Sequence, residues 1–241
     1  MFQLKKVAII QSNYIPWKGY FDIINDVDLF IFYDDVQYTK NDWRNRNNIK
    51  TENGITWLTI PIGKRHGRFI HEVKIDDKKW AKKHWSTIKQ YYSKAPFFLE
   101  YKDYFEHVYC EAKWEYLSDL NQYIIKYLAK ECLGVNTEFK DSREYNLTGH
   151  KFERLMELIK KAKADIYISG PSARSYIEKG RFDEEGIKLV YKDYSNYPEY
   201  HQFYPPFTHN VSIIDLLFHT GPDAPDYIWG WREDKNQIEI S

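Results

Sequence analysis

The chain has 241 residues, with 35 Lys plus Arg balanced by 35 Asp plus Glu, and 43% of its residues are apolar. A formal charge of zero gives no long-range field for a nucleic-acid backbone, so non-specific nucleic-acid binding is excluded as an expectation. No stretch approaches the ~18 to 20 consecutive apolar residues of a membrane span, so no membrane insertion is expected. The length suits a single α/β domain over 1–231 followed by a polar C-terminal tail at 232–241.

The N-terminal apolar run is only Val7 to Ile10, shorter than the ~7 to 15 residues of a signal-peptide core. Cys110 and Cys132 lack metal-ligand spacing and read as reduced thiols, which suits a cytoplasmic protein. No metal site is indicated by the residues, and which cofactor is used, ATP included, is unknown from them. Aromatics reach 18%, with 21 Tyr, 14 Phe and 8 Trp. Rings with a polar tip serve a core, a stacking surface or a homodimer face, and composition alone does not separate these uses.

Val7 to Ile10 predicts a strand, the segment from Gly19 to Ile24 a short helix, and Leu29 to Tyr33 a second strand. Strands apolar on both faces belong inside a parallel sheet covered on both sides. Between the first strand and helix lies Gln11-Ser12-Asn13-Tyr14-Ile15-Pro16-Trp17-Lys18-Gly19-Tyr20. It offers amides at Gln11 and Asn13, rings at Tyr14, Trp17 and Tyr20, and a glycine, Gly19, that allows close approach to a helix N-terminus where anions are favoured. A tight turn capped by aromatics is the alternative.

After the second strand comes Asp34-Asp35-Val36-Gln37-Tyr38. Adjacent carboxylates on extended backbone point to opposite sides, so one of Asp34 and Asp35 is expected to face a cleft, as a general base or a reader of sugar hydroxyls. Tyr38 adds a ring. Trp43-Arg44-Asn45-Arg46-Asn47 follows, and its guanidiniums suit a discrete anion such as a diphosphate or carboxylate. Arginines paired to surface acids are the alternative there.

Thr56 to Ile60 and Phe69 to Ile75 alternate at period two around the basic, flexible stretch Gly63 to Gly67, which predicts a hairpin or an edge pair. From Trp80 the period becomes helical. Helices are expected over 80–93, 95–108 and 117–133, the last capped by Ser118 and stopped at Gly134, making a helical layer or insert over 80–133. His84, on the first of these, is a candidate acid or base; a packing histidine is the alternative.

A further helix over 149–162 leads to a strand at Asp165 to Ile168, a turn at Ser169-Gly170-Pro171-Ser172, and a short helix through Tyr176; Leu189 to Tyr191 gives another strand. Ser169, Gly170 and Ser172 look like an anion-binding turn, without the P-loop, dinucleotide or nucleophile-elbow patterns. The fold class is therefore α/β, a mainly parallel sheet flanked by helices. Ligands of such sheets collect at the carboxyl ends of the strands, and the loops of Gln11, Asp35, Arg46 and Ser172 are expected to open onto one crevice.

Taken in order, QSNYIPWKGYF, YDDVQY, NRN, WLTIPI, SGPSARSYI and VSIIDLLFHTGPD resemble the WbqC-like protein family, which is associated with bacterial surface-polysaccharide genes. The resemblance runs from Val7 to about Asp223, and departs from it at Ile10, Gln11 and Ser12, where members carry a histidine or a Gln-Pro pair. It implies O-antigen or lipopolysaccharide work on a nucleotide-linked amino sugar, with an acyl or aminoacyl donor, for instance glycyl, modifying the amine. In that role Arg44 and Arg46 would grip diphosphate, Trp17 and Tyr20 would stack on the base or sugar, and Asp35 or His84 would take a proton. ATP-dependent carboxylate activation and a non-catalytic scaffold are the competing readings.

Overall fold

The computed structural model describes residues 4–64, 67–77, 79–175 and 177–232. Five parallel strands form its centre: β1 (Lys6–Ile10), β2 (Leu29–Phe32), β5 (Glu138–Asp141), β6 (Ile166–Ser169) and β7 (Lys188–Tyr191), in the order β5-β2-β1-β6-β7. The α/β expectation is met. In β1 and β2 the registered pairs Val7 with Leu29 and Ile9 with Ile31 face one side, while Ala8 with Phe30 and Ile10 with Phe32 face the other. Both sides are covered, which is why these strands read as unbroken apolar runs.

On one side, α5 (Lys151–Lys161) and α6 (Lys179–Glu184) bury Leu155, Leu158, Ile159 and Phe182 against Val7, Ile9 and Ile31. On the other lie α1 (Lys18–Asn25), α2 (Trp80–Tyr92), α3 (Phe98–Glu106), α4 (Leu117–Tyr127) and α7 (Ile213–Thr220). Trp85, Ile88, Phe105, Leu120, Ile124 and Phe218 share one core with Ala8, Phe30 and Phe32. The segment 80–133 is thus a layer packed on the sheet. Both α3 and α4 run into a π-helical turn, closed by Ala112 N–H to His107 O at 2.9 Å and Leu133 N–H to Leu128 O at 3.0 Å.

A separate antiparallel hairpin joins β3 (Arg46–Thr51) to β4 (Gly54–Thr59). This corrects the expected pairing of 56–60 with 69–75. Alternation marks β4 as a strand, yet its partner is the polar segment Arg46–Thr51, whose amides give no apolar signal. Residues 68–71 instead lie along 34–38: Tyr38 N–H donates to Arg68 O, Ile70 N–H to Val36 O and His71 N–H to Asp34 O, each at 3.0 Å. Ser118 is also corrected, since α4 begins at Leu117 after Tyr116 and the buried Ser118 hydroxyl caps nothing. The short helix after Ser169 is a 3-10 turn at Pro171–Ser175; Tyr176 and 233–241 lie outside the described residues.

Candidate functional site

The strand order places a crossover at β1 and β6. The chain leaves β1 toward β2 on one side, while β6 and β7 lie on the other, and ligands of open α/β sheets occupy the carboxyl edge at such points. Loops 11–17, 33–38, 142–145, 170–175 and 192–200 all leave that edge.

The loop after β1 is held rigidly. Ile15 is fully buried at φ 35°, a left-handed conformation that costs a β-branched residue on the order of 1–3 kcal/mol. The Asn47 amide donates to Tyr14 O at 3.0 Å and Ile15 O at 2.9 Å, and Tyr14 N–H to Trp43 O at 2.9 Å. Ile213 N–H reaches Pro16 O at 2.9 Å.

Around this loop several predicted residues gather. Tyr20 donates from its hydroxyl to Gln11 O at 2.9 Å, and burial raises its pKa well above the ordinary value. Gly170 lies beside the Tyr194 hydroxyl, and Ser169, at the end of β6, accepts from Lys192 N–H at 2.8 Å. Ser172 is exposed, its carbonyl accepting from Ser175 Oγ at 3.1 Å. Asn13 keeps a buried, unpartnered Oδ1.

Asp34 is fully buried and accepts Ser12 N–H at 2.8 Å and the Gln122 amide at 3.0 Å. Burial raises its pKa, opposed by those two hydrogen bonds. The same Gln122 amide reaches Asp141 at 2.8 Å, and Arg143 grips Asp141 at 2.8 and 2.9 Å. Although burial pushes Asp141 upward, these hydrogen bonds outweigh it and leave the pKa lowered.

Other predicted residues have structural duties that account for their groups. Asp35 is ion-paired to Arg154 of α5 and accepts from Ser142 Oγ, so its carboxylate turns toward the helix layer. His84 is buried, its Nε2–H donating to Thr59 O at 3.2 Å and its Nδ1 accepting from Tyr14, whose oxygen lies 2.6 Å from Tyr109 Oη. Burial lowers the His84 pKa to about 4. Both ring nitrogens are occupied by the core in the neutral form, which leaves no atom for a substrate proton.

Trp17 packs edge-on against Tyr194 and Tyr197, with ring centroids 5.2 and 6.0 Å away, and Tyr20 is buried. A Cβ on Gly19 would come 2.3 Å from the Trp17 ring, so the close approach that this glycine permits is made by Trp17 itself. Arg44 pairs with Asp42 at 3.0 Å. Arg46 lies over Trp57, 4.3 Å from the ring centroid, and donates to Asn41 O. Arg46 begins β3, one residue before Asn47, whose amide holds the loop after β1.

Two cavities flank the ribbon of 34–38 and 68–71. The larger, about 480 Å³, is lined by His71, Glu72, Lys74, Tyr116, Asp119 and Arg143. His71 Nδ1 lies 3.0 Å from Asp34 O. A carbonyl can only accept, so Nδ1 carries the proton and Nε2 of the neutral ring keeps its lone pair. Glu72 and Asp119 put carboxylates on the same walls as Lys74 and Arg143; those two cations are engaged by Glu115 at 2.6 Å and Asp141 at 2.8 Å, while Glu72 accepts from Phe69 N–H at 2.8 Å. The smaller cavity, about 240 Å³, is lined in part by Tyr38, Asn45, Lys64 and Arg68; Tyr38 Oη donates to Asn45 Oδ1 at 2.8 Å. Arg68 and His71 are three residues apart, at most about 11 Å along the chain.

His71, Lys64, Arg68, Asp119 and Arg143 were not expected from sequence. The period-two pattern of 69–75 marks His71 as a strand residue, and only the crossing of 34–38 over 68–71 turns it to a carboxyl-edge cavity. Among the described residues no group of three or more His, Cys, Asp or Glu could hold a metal ion, and no helix is long and apolar enough to cross a membrane.

The model of the WbqC-like protein family matches residues 11–227. The uncharacterized protein Rv1507c of Mycobacterium tuberculosis is 48% identical over 228 residues, covering 93% of this chain and 98% of that protein. No solved structure matches the chain.

Proposed function

For a chain that belongs to the WbqC-like protein family, we propose a cytoplasmic enzyme of surface-polysaccharide biosynthesis that acylates the amine of a nucleotide-linked amino sugar, with an acyl or aminoacyl group, glycyl included. The observation that carries this reading is the His71 imidazole, fixed by Asp34 O so that Nε2 holds a lone pair in a cavity with two carboxylates. A sugar ammonium is attracted by Glu72 and Asp119 and must lose a proton before it can attack.

In the step, His71 Nε2 takes that proton. The freed nitrogen pair attacks the acyl carbonyl carbon and the new C–N bond forms; the donor's leaving group departs with the electrons of the bond it loses, and the second proton of the nitrogen goes with it, leaving the neutral amide. Asp34, through its backbone carbonyl, holds the ring in the tautomer that can accept. The Gln122, Asp141 and Arg143 network stiffens the wall behind it. His71 thus replaces Asp35 and His84 in the base role.

The test is to incubate the protein with nucleoside-diphosphate amino sugars and either acyl-coenzyme A or ATP with glycine, reading product mass. A gain on the free-amine sugar, absent from its N-acetylated form, supports the reading. Turnover with no dependence on the amine contradicts it.

A further inference from the structure

We propose that the smaller cavity and the exposed tryptophans beside it form a subsite for a nucleoside diphosphate, the anion lying against Arg68 and Lys64 and the base on the Trp57 and Trp43 rings. The inference names the substrate half left open above, and rests on that reading only for the attached sugar.

Charge is the first argument. The described lining of the cavity contains Lys40, Lys64 and Arg68 and no carboxylate, and the carboxylate packed against it, Asp76 beside Gly63, is outnumbered by these cations. Asp42, a carboxylate sensed by Tyr38 of the lining, is engaged by Arg44 at 3.0 Å, by Thr39 Oγ1 at 2.6 Å and by Trp43 N–H at 2.7 Å. Arg68 is only 6% exposed; it donates from Nη2 to Gly63 O at 2.7 Å and lies over the Tyr38 ring, while its Nε–H is buried without a partner. A guanidinium held in one orientation, with an Nε–H that has no partner, suits a compact anion of two or more charges.

The rings are the second argument. Trp43 and Trp57 are 41% and 42% exposed although their centroids are 5.4 Å apart. Arg46 joins them to the cavity, lying on Trp57 while donating to Asn41 O of the lining. Across the hairpin Asn48 pairs with Trp57 on the same face; it is 1% exposed, and both its amide atoms lack partners. Side chains directly opposite in an antiparallel pair have Cβ atoms about 5 Å apart, so a donor and an acceptor lie under the platform. Stacking faces, a polar pair and a cationic hollow in sequence match a base followed by its phosphates.

Binding of uridine and guanosine diphosphates and of inorganic pyrophosphate, followed by calorimetry and by tryptophan fluorescence, tests the assignment. The expectation is that Trp57→Ala weakens the nucleoside diphosphates about tenfold or more while leaving pyrophosphate within twofold, since only the base stacks. Arg68→Gln should weaken all three probes by tenfold or more, and Lys64→Gln should weaken them in the same direction without touching the Gly63 contact. Nucleotides that bind all three variants as they bind the wild type overturn the proposal, as does a wild type that binds none of the probes. Diphosphate binding lost in the subsite variants, with no acylation from any donor, would keep the subsite and discard the reaction.

Discussion

The side-chain amide of Asn47 lies 2.9 Å from the carbonyl oxygen of Ile15, a buried β-branched residue held at φ 35° in the loop after β1. A second bond of 3.0 Å goes from the same amide to Tyr14 O. The hairpin therefore clamps the first carboxyl-edge loop in a conformation that the loop would not choose alone. Replacement Asn47→Ala leaves two buried carbonyls short of a donor, and each orphaned group costs about 1–3 kcal/mol. Urea unfolding should show a loss in that range or above, and a change under about 0.5 kcal/mol would show that the clamp contributes nothing.

Asp22 of α1 is fully buried and accepts Lys192 Nζ at 2.7 Å, Arg232 at 2.9 and 2.6 Å, and the Tyr197 hydroxyl at 2.5 Å. It joins the first helix to the strand end of β7 and to the last described residue. Truncation by Asp22→Ala leaves Lys192 with Asp26 alone and Arg232 without this carboxylate, and breaking such a buried pair costs up to about 3–5 kcal/mol. Equilibrium unfolding measures it. A loss near that of an exposed ion pair, below about 1 kcal/mol, would contradict the assignment.

His84 gives the fold an acid limit. Its folded pKa is about 4, below the ordinary 6.5, because burial disfavours the charged ring. Between those values the unfolded chain binds the extra proton, so this contribution to stability is complete above pH 6.5 and is lost as pH falls toward 4. The gap corresponds to roughly 3 kcal/mol at 1.36 kcal/mol per pH unit. Melting followed from pH 7.5 to 4.5 should fall more steeply in the wild type than in His84→Gln. Parallel slopes in the two proteins would show that another group sets the acid limit.

Much of this architecture is legible in the chain, and the exceptions have physical causes. β1, β2, β6 and the helices at 80–92 and 151–161 carry their burial in apolar side chains, so periodicity finds them. β5 is an edge strand reading Glu-Phe-Lys-Asp, half exposed, with no pattern to find. β3 buries Asn47 through its amide, which bonds Tyr14 O and Ile15 O, and Asn48 by packing, and composition scores both as loop. At the site, Gln11, Tyr20, Asp34 and Gly170 could be placed at strand ends because their strands were visible. His71 and Arg68 were not, since their value comes from a contact with 34–38, 30 or more residues earlier in the chain. Trp17 and Tyr20 show the converse: an aromatic cluster in a loop is as easily core as platform, and only burial separates the two.

The central claim is that His71 removes the proton of the attacking amine. The rate of N-acylation, read by product mass for the wild type and for His71→Asn across pH 5.5 to 9, tests it most directly, because asparagine can keep the hydrogen bond to Asp34 O and cannot act as the base. A fall of about 10²- to 10⁴-fold is the predicted result. Equal rates in both proteins would contradict it.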